Sequence, residues 1–296
     1  MLETVSPTTP PTTLPPDVPS VLLRRPKVIH GDDPGGYYCE HVFYTAQQTA
    51  AHSAVRCNGW GEALIGFLHV PGRRDGWLGA DSPRHGQPVD PARRHAGTRR
   101  VVGRALAGFC TTLMADPPDL DSPLRILLTG FGPFAAVVDN PTGDFVSDDT
   151  NLDAAMGVAF GRRLLTPAGS RQALDASGHA ASGTPVIRQY RTRRSDGTMQ
   201  TVWLGTVCLA TDDTAVAADH PSSLVTAMTG PFQPHAVLSL GVARSAKTFW
   251  VEHKAGDRNL TVGRHVEAVA NHHLPSNFAL ARAIVAGRAG SRPVSG

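Results

Sequence analysis

The chain has 296 residues, enough to bury a sizeable core, and its 41% apolar content is that of a globular protein. A net charge of +3 is too small to demand a polyanionic partner, and no apolar run approaches the length of a membrane span, so neither nucleic acid nor membrane is expected as a partner. Cys39, Cys57, Cys110 and Cys208 are widely spaced with no Cys-x-x-Cys pair, which argues against a disulfide framework and a cysteine zinc site.

Residues 1–25 begin with a Pro- and Thr-rich stretch and read as an extended arm. The first residues carry neither a basic nor an apolar leader region, so no secretion signal is expected and a reducing, cytoplasmic compartment is inferred. A strand is expected at 26–30, followed by the turn-rich Gly31-Asp32-Asp33-Pro34-Gly35-Gly36, a helix over 39–55 and a strand over 63–70. Residues 72–92 read as a loop. Its arginines, among them Arg73, Arg74 and Arg84, interleave with Asp75, Asp81 and Asp90 and lack aromatic partners, as in a solvated segment. Apolar residues at Val101, Val102, Ala105, Leu106, Phe109 and Leu113 predict a helix over 94–115, and the Pro/Asp-rich 116–123 is a linker.

Beyond it, Leu124–Phe131 is a short strand of the buried type. A helix at 153–165, strands at 185–192 and 200–209, a helix at 215–229, strands at 235–241 and 249–252, and a helix near 277–289 follow. Buried strands alternating with helices predict a single α/β domain over 26–296, with halves 26–115 and 124–296. It is read as a three-layer sandwich whose mostly parallel twisted sheet is flanked by helices.

Cys39 opens the first helix, where unpaired backbone N–H groups and the helix dipole favour a thiolate. His69 ends the strand that follows, and in an open sheet the strand ends and helix starts share one rim. A thiol and an imidazole on that rim are the parts of a Cys–His nucleophile. A buried inert thiol and a structural histidine use the same residue types, and the two residues alone leave both readings open. A metal centre is not expected: the 13 histidines include the adjacent His272 and His273, but no His-Glu-x-x-His or comparable ligand set occurs.

Four segments resemble the pyroglutamyl peptidase I (pyrrolidone-carboxylate peptidase) family of cysteine peptidases. Leu128-Thr129-Gly130-Phe131-Gly132-Pro133-Phe134, with Asn140-Pro141-Thr142, is similar to that family's opening strand and substrate loop. His235–Gly241, with Val251-Glu252, resembles its central strand and the segment bearing the orienting Glu. Gly36–Tyr44 resembles the nucleophile segment, and Gly66–Pro71 the segment bearing the catalytic His. The family runs loop, Glu, Cys, His, whereas this chain runs Cys39, His69, Phe131, Glu252. The resemblance therefore implies a circularly permuted topology, a rearrangement that chains tolerate when the native termini lie close together.

It implies Cys39 as nucleophile, His69 as general acid/base and Glu252 as the carboxylate that orients the imidazole, with no cofactor. Phe131 and Phe134 would hold a pyrrolidone ring against their faces, with core packing after a strand as the alternative. Backbone around Gly130-Phe131 would donate to the lactam or the oxyanion. The implied partner is an N-terminally blocked peptide, and a homo-oligomer is left open.

The chain departs from the family at Ala135-Ala136, where glycines are usual, and at Val242-Ala243-Arg244, where Gly-Gly-Arg is common. An insertion is expected around Arg56–Glu62, and Arg258 and Arg264 are assigned no role. These departures keep two further readings open: an amidase or peptidase of different N-terminal specificity, and an inactive binding protein on the same scaffold.

Overall fold

The computed structural model describes residues 28–31, 38–52, 63–71, 95–115, 122–133, 140–173, 185–243, 248–252, 254–255 and 274–275. The arm, the 72–92 loop, most of the linker, the expected helix near 277–289, Phe134 and Ala135-Ala136 lie outside these residues.

Strands β1 (Val28–Gly31), β2 (Leu64–Pro71), β3 (Leu124–Phe131), β4 (Leu164–Ala173), β5 (Val186–Arg193), β6 (Met199–Leu209), β7 (Ala236–Ala243) and β8 (Phe249–Glu252) form one sheet in the order β1-β8-β2-β7-β3-β6-β5-β4. The centre is parallel, β2 on β7, β7 on β3 and β3 on β6, while β4, β5 and β6 form an antiparallel meander at one edge. Composition follows topology. β2, β3 and β7 are almost wholly buried and nearly unbroken in apolar residues, whereas β5 alternates buried with more exposed positions. β9 (Lys254–Ala255) and β10 (Leu274–Pro275) pair separately.

Helices cover both faces, so the architecture is α/β with three layers. On one face, α2 (Ala96–Leu113), α3 (Pro141–Ser147) and α4 (Asp149–Phe160) pack with Leu68, Ile126 and Leu238 of the central strands. Gly103 of α2 lets α4 approach: a Cβ there would stand 2.6 Å from that of Val158. On the other face, α1 (Tyr38–His52) and α5 (Leu224–Thr229) enclose Ile65, Phe67, Leu127 and Val237. The buried side of α1 is built from Val42, Phe43, Ala46 and Ala50, the spacing of an amphipathic helix.

Several expected elements are corrected. The helix expected at 153–165 runs instead from Asp149 to Phe160 and stops at Gly161, whose φ of 52° is left-handed. After one 3₁₀ turn the chain becomes β4, a strand that the sequence pattern does not announce. The helix expected at 215–229 is confined to Leu224–Thr229: Pro221 disfavours helical backbone before it, and Ser223 caps the later start through its bond from the Thr226 N–H. Helix α3 is a further addition to the expected elements. β1 is parallel to β8, which is antiparallel to β2, so β1 runs opposite to the central strands.

Candidate active site

Alternation along β2 puts Phe67 and His69 on one face, the face covered by α1. The parallel register sets His69 beside Gly241 of β7. The antiparallel register with β8 sets Phe67 opposite Glu252 and His69 opposite Trp250. Glu252 is thus a diagonal neighbour of His69, and the Nδ1–H of His69 donates to its Oε1 at 2.7 Å. Both side chains are buried, 6% and 0% exposed, so the pair is shielded from solvent screening. Glu252 Oε2 has no hydrogen-bond partner among the described residues.

Cys39 stands in the first turn of α1, half-buried, and is a free thiol. It shares a side-chain hydrogen bond with His69. Since Glu252 takes Nδ1, Nε2 is the nitrogen left for the sulfur. Burial alone would lower the pKa of His69, but the hydrogen bonds and charges of Cys39 and then Glu252 outweigh it and raise the group to about 9. Cys39 and Glu252 therefore favour the protonated form of the imidazole. Helix, strand and strand end bring together Cys39, His69 and Glu252.

Gly241 is what makes room for the sulfur. A Cβ on Gly241 would stand 2.8 Å from Cys39 Sγ, 2.8 Å from Phe67 Cζ and 2.9 Å from Phe67 Cε1. Phe67 meets the His69 ring edge-on, with centroids 5.0 Å apart, and Phe43 of α1 at 5.5 Å. Sequence reading assigns no role to Gly241 or Phe67. The β2 alternation could have flagged Phe67, but the register that brings Gly241 beside His69 leaves no local trace.

Phe131 ends β3 and is 2% exposed within the apolar cluster on the α1 face. Continuing the Thr129–Ser239 register brings it level with Gly241, two strands from His69. Its backbone N–H donates to Thr142 Oγ1 at 3.0 Å, and that of Gly132 to the Leu209 carbonyl at 2.8 Å. Both of these amides are committed within the fold.

Asn140-Pro141-Thr142 is a helix start. Asn140 caps α3 by accepting from the Thr142 N–H, Pro141 occupies the first turn, and the Asn140 amide donates to the Gly132 carbonyl at 3.0 Å. Among the described residues no three His, Cys, Asp or Glu side chains are grouped to hold a metal, and no helix is long and apolar enough to cross a membrane.

No family model matches the chain, nor does any curated protein or solved structure. The functional reading therefore rests on the site itself and on the four sequence segments.

Proposed function

We propose that the chain is a cysteine exopeptidase that removes N-terminal pyroglutamate from peptides, built as a circularly permuted counterpart of the pyroglutamyl peptidase I family. The observation that carries the reading is the meeting of a helix-start thiol, an imidazole and a buried carboxylate, the last two 183 residues apart in sequence. The order Cys39, His69, Glu252 is accommodated because strands from the two halves of the chain alternate in one sheet, which favours a reordered domain over a fusion of two partial ones.

In this reading the proton shared between Cys39 and His69 already rests on Nε2 when the sulfur attacks the amide carbon, forming the C–S bond while the carbonyl electrons move to oxygen. Collapse of that intermediate breaks the C–N bond as His69 returns its proton to the departing amine. Water, deprotonated by His69, then hydrolyses the thioester and restores the thiol. Glu252 holds the Nδ1–H and stabilises the imidazolium throughout. Phe131 supplies an apolar wall at the level of the nucleophile, and the family resemblance assigns Phe134 to the same ring. Neither metal nor organic cofactor takes part, and a reducing cytoplasm keeps Cys39 as a thiol.

Release of a chromophore from a pyroglutamyl amide under reducing conditions tests the reading, with Cys39→Ala alongside. Thiol-dependent turnover that disappears in the variant is the expected result; a folded wild type without turnover overturns the assignment.

A second reading, an amidase of different N-terminal specificity, is favoured by Val242. It stands where the related family often has glycine, and its Cβ restricts the backbone of the strand end next to Gly241. A panel of N-terminal groups on the same chromophore separates the two.

A further inference from the structure

Phe67 is fully buried between the proposed imidazole and the helix that bears the thiol. Its ring lies edge-on to His69 at 5.0 Å. Its Cζ and Cε1, together with Cys39 Sγ, close the space over the bare Cα of Gly241. Its other neighbour, Phe43 at 5.5 Å, lies one turn after Cys39 on the same helix. One rigid ring therefore touches the strand that carries the imidazole and the helix that carries the thiol. Glu252 fixes one nitrogen of His69, but that contact by itself does not set the height of the thiol-bearing helix over the other nitrogen.

We propose that Phe67 is a positioning residue: its ring sets the plane of His69 and the height of α1 over Gly241, and so holds Nε2 against the Cys39 sulfur. The inference rests on the Cys–His reading of the site, not on the identity of the acyl group. A planar ring suits the task because it has two χ angles and fills the gap without voids, whereas an aliphatic chain of similar volume leaves the imidazole room to rotate. Misplacing reacting groups by about 1 Å is enough to cost about a hundredfold in rate.

The test is Phe67→Leu, with Phe67→Met as the second variant because its unbranched chain refills the core without a planar face. Ile65→Ala is the control, since it thins the same core layer on the same face of β2, four residues before His69. His69 is followed by NMR titration of its ring, and kcat and KM on the pyroglutamyl amide are measured in parallel. Cys39 from α1 and Glu252 from β8 are the titratable groups that act on His69, so the titration reports their contact.

In both Phe67 variants the His69 midpoint is expected to fall from about 9 toward the ordinary imidazole value of about 6.5. In the same variants kcat falls about ten- to a hundredfold at nearly constant KM. Ile65→Ala lowers thermal stability and leaves the midpoint in place. A Phe67 midpoint that moves no more than the control overturns the inference, and so does a fall in stability alone. The titration needs no turnover, so a wild type inactive on pyroglutamyl amides sinks the substrate reading while the positioning role is still decided by the midpoint.

Discussion

The chemistry of the site turns on which partners keep His69 protonated. Against the lowering effect of burial, Cys39 and Glu252 raise it to about 9. A folded-state pKa above the unfolded value of about 6.5 contributes stability that is fully present below pH 6.5 and is lost as pH rises through about 9. Activity that depends on the imidazolium fades over the same limb. Glu252→Gln removes the charge that supports the imidazolium, so the alkaline limb of kcat/KM is expected to move down and the rate to fall on the order of 10²-fold or more. A pH–rate profile unchanged in that variant would show that Glu252 does not act on His69. Gly241→Ala tests the floor of the site. Its methyl would stand 2.8 Å from Cys39 Sγ, so the sulfur must move, and turnover is expected to drop about a hundredfold while the fold survives. Wild-type turnover in Gly241→Ala would place the reacting sulfur elsewhere. Cys39 and His69 were legible in the sequence because a helix start and a strand end are local patterns. Gly241 and Phe67 were not, because their importance lies in a register between β2 and β7, strands separated by most of the chain.

At the scale of elements, the end of β3 is secured by α3, and two glycines let them touch. A Cβ on Gly130 would overlap the Thr142 carbonyl, and one on Gly143 would overlap the Phe131 carbonyl. Asn140 ties this junction twice, capping α3 and donating to Gly132. Asn140→Ala removes both contacts and is expected to cost about 2 kcal/mol, measured as a lower urea midpoint at constant m value. The His69 titration stays in place if α3 serves only to hold β3. A changed m value would instead mean that the junction shapes the unfolded ensemble or breaks two-state behaviour. The motif Asn-Pro-Thr is visible in the sequence, but its role as a cap depends on a seven-residue helix too short for a clear periodic signal. The strands of the parallel core were legible because burial on both faces makes them continuous apolar runs. β4 was hidden because its Leu-Leu start continues the apolar pattern of α4, and only a single 3₁₀ turn opening at the left-handed Gly161 separates them.

For the whole molecule, the decisive feature is interleaving. β7 lies between β2 and β3, and β8 lies between β1 and β2, so the half that precedes residues 116–121 contributes strands that do not pair with each other. The His69–Glu252 contact spans 183 residues, and its closure entropy must be met before the site exists. Neither half can satisfy its own strands, because β2 without β7 and β8 exposes the backbone groups and apolar side chains of a central strand. Division of the chain after Asp119 is therefore expected to give two pieces that do not fold separately but assemble when co-expressed. The assembled pair should recover the His69 titration near 9 and the turnover of the intact chain, with a melting temperature that rises with concentration because association now joins folding. Cooperative unfolding of either piece alone would show that one half has a core of its own. Interleaving would then be a docking of two domains, and the proposal of a circular permutation would fall. Recovery only on mixing would instead make the sheet order, not the order of the chain, the property that assembles Cys39, His69 and Glu252.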